Sequence, residues 1–161
     1  MASLRTLSSK ERKKVLEKLH EQFGCDTEFL KKYVWLFKEQ KAKYYIATED
    51  VLALDLAALP VETLGLYVCS ELKNGEMRLS IEGSQLIGPS CTKNILELDD
   101  GEFKLWIRGH DIEKETALTG FLVVKHRDDF VGSGKPVLDE KTGRILVHNY
   151  IPKTRYVRSE D

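Results

Sequence analysis

The sequence predicts an α+β chain, with an N-terminal α/β domain over residues 1–88 and a small half-open β-barrel over residues 89–161. Three observations predict it. Asn74-Gly75, flanked by Leu64 to Leu72 and Glu76 to Ile81, signals a hairpin in the first half. Short apolar runs recur in the second half at Phe121 to Lys125, Pro136 to Leu138 and Arg144 to His148, with one helical pattern ahead of them. Gly88-Pro89 punctuates the chain between the halves.

Each element has its own signal. Ser8 with Glu11 makes a capping box, and Val15, Leu16, Leu19 and Phe23 follow at helical spacing before Gly24. Lys10, Arg12, Lys13, Lys14 and Lys18 take the other side of this helix, a face that either sits in water or touches RNA or a membrane surface. Asp26 is the expected cap of a short helix through Lys31, and Tyr33 to Lys38 and Lys43 to Ala47 read as strands around a Glu39-Gln40-Lys41 turn. Thr48 is the expected cap of a further helix, with Val51, Leu52 and Leu54 on its apolar side and Pro60 just beyond. Asn74-Gly75 predicts a type I′ turn, and Ser84 to Ile87 a short turn or helix. Lys93 to Leu98 is a strand. Over Asp99 to Ile107, Leu105 and Ile107 alternate as in a strand, but Phe103, Trp106 and Ile107 at i, i+3, i+4, with Asp99 to start and Gly109 to stop, select a helix. Gly132-Ser133-Gly134-Lys135 and Lys141-Thr142-Gly143 read as turns, and Asn149 to Tyr156 as a polar, aromatic and basic tail outside the core.

At 161 residues and 18.4 kDa the chain can bury one good core or two small ones, and 42% hydrophobic content argues against wholesale disorder. No apolar run is long enough for a bilayer, and Met1-Ala2-Ser3-Leu4-Arg5 lacks a signal-peptide apolar region. A soluble, cytoplasmic protein is expected, nucleolar if the source is eukaryotic. The net charge of -1 hides a partition. Residues 1–40 hold nine Lys/Arg against six Asp/Glu, residues 41–100 five against ten, and residues 101–158 eleven against eight. Any basic face must therefore be local.

Several chemistries lack their residues. Cys25, Cys69 and Cys91 are odd in number and far apart in sequence, which suits small buried residues better than a disulfide framework or metal pair. His20, His110, His126 and His148 have no metal spacing and no nucleophile-base motif, so no metal or other cofactor is expected. Gly132-Ser133-Gly134-Lys135 lacks the first glycine of a P-loop, and Pro136 stands where that loop needs Ser or Thr. It is either a structural turn or a loop that lets a sugar-phosphate backbone approach, with Lys135 as a point charge. Asp99-Asp100 and Asp128-Asp129 suit helix starts and turns better than acid/base pairs. Nothing here argues for an enzyme.

Residues from about 96 to 156 resemble the PUA-like domain at the C-terminus of RsmF-type, Sun/Fmu-family RNA cytosine-C5 methyltransferases. The resemblance is carried by Ile107-Arg108-Gly109 at a helix end, Gly120-Phe121-Leu122-Val123-Val124, Gly132-x-Gly134-Lys135, and Asn149-x-x-Pro152-Lys153. The family pattern places an arginine three residues after that lysine, whereas here Arg155 follows Lys153 by two and Arg158 comes next. The catalytic domain with its paired cysteine motifs is absent from the sequence, so the methyltransferase activity does not transfer. In the first half, Lys43 to Ala47, Leu64-Gly65-Leu66, Arg78 to Ile81 and Leu86 to Pro89 are similar in order to the pre-PUA domain of the eukaryotic and archaeal large-subunit ribosome-biogenesis factor.

Together these resemblances imply a pre-PUA-like α/β domain followed by a PUA-like β pseudobarrel acting on structured rRNA or tRNA. The expected function is noncatalytic RNA binding in ribosome biogenesis, rRNA processing or RNA modification, with an RNA methyltransferase or ribosome-assembly protein as partner. Lys135, Lys153 and Arg155 are the expected phosphate contacts, joined by Arg108 and Lys125, because RNA docking needs cations for phosphates. Asn149 and Tyr150 are the candidates for base or ribose recognition, unless Asn149 holds a turn and Tyr150 lies in the core. Two other classes compete. A protein-interaction adaptor would show no salt-dependent RNA affinity, and an RNA-processing enzyme would need perturbed acids or histidines beside the basic strip.

Overall fold

The computed structural model describes residues 4–58 and 64–158, so Pro60, expected beyond the Thr48 helix, lies outside the described residues. The first sheet is antiparallel throughout, in the order β1 (Leu4–Thr6), β2 (Val34–Lys38), β3 (Lys43–Ala47), β4 (Leu66–Glu71) and β5 (Met77–Leu79). Helix α1 (Ser9–Phe23) starts at the expected capping box, with Ser8 Oγ accepting from Glu11 N–H, and ends at Gly24. Its Val15, Leu16, Leu19 and Phe23 pack with Trp35, Tyr44, Val68, Cys69, Met77 and Leu79 on one face of the sheet. Each such side chain contributes about 1.5–3 kcal/mol by leaving water.

The second sheet joins β6 (Ile95–Glu97), β8 (Leu122–His126), β9 (Asp129–Asp139), β10 (Arg144–Asn149) and β7 (Ile112–Glu113) in that order, with only the β6/β8 pair parallel. Helix α3 (Asp100–Ile107) starts at a second capping box, Asp99 with Glu102, and drives the fully buried Trp106 into this sheet's core beside Leu122, Val124 and Val147. The two sheets share buried contacts. Helix α2 (Ile81–Ile87) packs on both β4 and β9, while Val123 and Phe130 of the second sheet belong to the first core. The whole is an α+β fold ending in a PUA-like pseudobarrel.

Several expectations are corrected. Gly132-Ser133-Gly134-Lys135 is not a turn but the middle of β9. Gly134 is there for space, since a Cβ on it would lie 2.8 Å from Val147 Cγ1 and 2.9 Å from Trp106 Cη2, whereas Gly132 takes a left-handed φ of 88°. The hairpin turn is not type I′. Leu72 N–H donates to Glu76 O and Gly75 N–H to Leu72 O, and Gly75 alone in the loop has positive φ, so three residues make a type I turn closed by a left-handed glycine. β5 stops at Leu79 because Ser80 caps α2, its Oγ accepting from Gly83 N–H at 2.9 Å. Asp26 and Thr48 do not act as helix caps by side chain. Two 3-10 turns, Glu28–Lys32 and Glu49–Ala53, replace those helices, and Asp26 Oδ1 accepts from Glu28 N–H two residues on. The tail is not wholly outside the core either: Ile151 is buried among the second core's side chains and Tyr156 packs against it.

Candidate nucleic-acid interface

Two aromatic rings and two cations meet where the sheets adjoin. In β5, Met77 and Leu79 point into the first core, so alternation sends Arg78 to the opposite face. Phe121, at the entry to β8, is held by its N–H, which donates to Glu76 Oε1 at 3.2 Å. Tyr150 N–H donates to Ser133 O at 3.2 Å, and its ring stands edge-on to Phe121 with centroids 5.0 Å apart. The Arg78 guanidinium lies 5.1 Å from the Tyr150 centroid and 5.8 Å from that of Phe121. Lys135 shares the β9 face of Ser133, whose Oγ donates to Leu79 O at 2.7 Å, and sets its Nζ 5.2 Å from the Phe121 centroid. Phe121 is buried, whereas Tyr150 is 38% exposed and offers its ring to solvent. Among the described residues no carboxylate lies within ion-pair distance of Arg78 or Lys135. The arrangement can take a phosphate and a planar base together.

Of the residues read from sequence, the structure unites Lys135 and Tyr150. Lys153 and Arg155 follow on a 3-10 turn, both exposed, but Arg155 is ion-paired to Glu82 at the start of α2. Burial alone would raise the Glu82 carboxyl, but the Arg155 hydrogen bond, the residue's own backbone N–H and the guanidinium charge together outweigh it and hold that group below its usual range, so the pair stays charged at neutral pH. Lys153 has no such acid among the described residues. Arg108 is exposed at the end of α3, where the tail returns and Val157 N–H donates to Ile107 O at 2.8 Å. Lys125 stands apart. It lies over Phe130, 5.6 Å from the centroid, three residues along β8 from Leu122, which pairs with Gly134, or about 10 Å away.

Asn149 is occupied internally. Its Nδ2 donates to Trp106 O at 2.7 Å and His110 O at 3.1 Å, while Oδ1 accepts from Ile151 N–H at 2.8 Å. The amide nitrogen thus ties β10 to the end of α3, while the oxygen closes the local turn to Ile151 from which Tyr150 emerges. Arg78 was missed by sequence reasoning; its one signal was a charge between two core positions of a hairpin strand.

The other reactive residues serve locally. His20, His126 and His148 bond Cys25 O, Asp100 and Asp111 respectively. Cys25 and Cys91, far apart in sequence, are neighbours in space, and all three cysteines are free thiols. Among the described residues no group of three His, Cys, Asp or Glu side chains could hold a metal ion, and no helix is long and apolar enough to cross a membrane.

The family profile described as the methyltransferase RsmF PUA domain matches residues 93–155. Those residues are a PUA-like domain of the RsmF type. A crystal structure of a PUA domain from Aeropyrum pernix K1, a tartrate complex, superposes with a TM-score of 0.56 at 15% identity, covering 95% of this chain and 87% of that one. That likeness shows the fold across both sheets, while the family match starts at residue 93. No curated protein matches. PUA domains are noncatalytic and generally bind RNA, so RNA binding is the coarse function that the match supports and an enzymatic role is not. Within the PUA-like domain, Lys135, Tyr150 and Arg155 line the side that meets β5 and α2, Lys153 is exposed on the same turn as Arg155, and Lys125 stands apart.

Proposed function

We propose that this protein is a noncatalytic RNA-binding protein that docks on structured rRNA or tRNA during ribosome biogenesis or RNA modification. Its place of action is the cytoplasm, or the nucleolus in a eukaryote. The observation that carries the reading is the pair of rings bracketed by two cations that have no acid partner among the described residues, with Lys153 on the adjoining turn. Since the matched domain takes its name from a methyltransferase, an RNA methyltransferase or assembly protein supplied in trans is the partner this reading implies.

The test is fluorescence anisotropy with structured ribosomal and transfer RNA across a salt series, comparing the protein with Lys135→Ala/Lys153→Ala/Arg155→Ala. Each lost phosphate contact lowers the slope of log K against log salt by about 0.7–0.9. The triple variant is expected to lose nearer two contacts than three, because Glu82 already neutralises Arg155. No binding by either protein would overturn the RNA reading and leave the protein-interaction adaptor.

A further inference from the structure

The face of the first sheet turned away from α1 continues the site beside a small third core of Leu4, Leu36 and Tyr45, against which Tyr67 packs. Lys43 pairs in register with Ser70, and Ser70 with Arg78, so these three residues form one row across β3, β4 and β5 on the face away from the first core. Two strand spacings place Lys43 about 10 Å from Arg78. Lys43 Nζ lies 4.6 Å from the Tyr67 centroid, and the Tyr67 and Tyr45 rings lie 5.5 Å apart on the same face. The ring-and-cation pattern of Tyr150, Phe121, Lys135 and Arg78 therefore repeats next door as Tyr67 and Lys43, with Arg78 between the two groups. Ser70, in the middle of the row, is buried, and its Oγ, beside Tyr67, makes no hydrogen bond of normal geometry among the described residues.

Charge on this row is uncompensated. Among the described residues no carboxylate lies within ion-pair distance of Lys43 or Arg78. Partial burial pushes the Lys43 ammonium below its ordinary range, and the nearby cations Lys41, Arg78 and Lys38 push it the same way. A site that concentrates positive charge against half-buried rings is complementary to a phosphate carrying a planar base.

We infer that a single-stranded RNA segment leaving the PUA-like domain crosses onto the first sheet, with its phosphates on Arg78 and Lys43 and a base on Tyr67. The inference rests on the RNA reading above and adds the path, the second contact region and the single-stranded character of what lies there. Lys43 belongs only to the extension, whereas Lys135 belongs only to the first group, so the two residues separate the claims.

The experiment measures binding of a hairpin RNA, blunt or carrying a single-stranded tail of about ten nucleotides, to wild type, Lys43→Gln, Lys43→Arg and Lys135→Gln across a salt series. The tail is expected to strengthen binding by wild type. Lys43→Gln should lower the salt slope by about 0.7 on the tailed RNA only, Lys43→Arg should keep it, and Lys135→Gln should lower it on both. If Lys43→Gln changes neither RNA, or both equally, the path is wrong while the RNA reading stands. If wild type binds neither RNA, both fail.

Discussion

Replacing Tyr150 by alanine isolates stacking from folding better than any other change in the interface. Phe121 is buried, so truncating it would cost about 3–5 kcal/mol of stability and confuse the measurement. Tyr150 is 38% exposed, and among the described residues its ring meets Phe121, an edge-on pair worth about 0.5–1.5 kcal/mol, and the Arg78 guanidinium, a contact worth about 0.5–1 kcal/mol at an exposed site. A domain stable by about 5–15 kcal/mol loses almost none of its folded population to such a change. Binding should suffer more. A base stacked on an aromatic side chain contributes about 1–3 kcal/mol, so Tyr150→Ala should weaken RNA binding about 5- to 150-fold. Tyr150→Phe keeps the ring and should stay within about twofold of wild type. Anisotropy titration at fixed salt, with urea denaturation as the folding control, reads both quantities. An alanine variant that binds within about twofold of wild type, while Lys135→Ala still lowers the salt slope, would refute base stacking on this ring and leave only phosphate contact.

Two further predictions test the frame that carries the site. Gly134→Ala sets a methyl group into Val147 and Trp106 and should destabilise the protein by about 1–3 kcal/mol in urea; a change below about 0.5 kcal/mol would mean that the glycine is not there for space. Glu11 is held down from 4.5 to about 2, first by the Arg5 hydrogen bond and then by Ser8 N–H. A carboxyl lowered on folding stabilises above its unfolded value and loses that contribution as pH falls through its folded one, so the loss runs from pH 4.5 down to about 2. The gap in urea midpoint between wild type and Glu11→Gln should therefore narrow from neutral pH to about pH 2, and an unchanged gap would contradict the assigned role.

What was legible in the sequence was what is written locally. The Ser8–Glu11 capping box and the Asp99 cap are local signals, and both helices start where the sequence places them. Strands β2, β3, β8 and β10 carry their own apolar patterns. Two strands and one glycine escape the sequence because of distance. β1 and β7 are three and two residues long and exist through pairing with β2 and β10, about thirty residues away along the chain. Gly132 to Lys135 looked like a turn because glycine is frequent in turns, but the reason for Gly134 lies in Trp106 and Val147, which reach it from other elements.

The interface was half legible for a further physical reason. Lys135 and Tyr150 stand in the basic, aromatic end of the chain and could be read there, whereas Arg78 comes from the stretch that charge counting marks as acidic. That count is a poor guide to the potential around Arg78 because three of the acids along β4, its hairpin and α2 are engaged elsewhere. Glu71 pairs with Lys18 and accepts from the Tyr44 hydroxyl, Glu76 accepts from Phe121 N–H, and Glu82 pairs with Arg155. Their charge is spent on α1, the entry to β8 and the tail, while Lys43 and Arg78 share a sheet face with none of them. Strand alternation sorts the two signs: Glu71 faces α1 and Ser70 the other side, so adjacent residues contribute to opposite potentials. An acidic stretch can therefore supply the cation at the centre of the proposed anion-binding face, which would draw the first sheet into the same interface as the PUA-like domain.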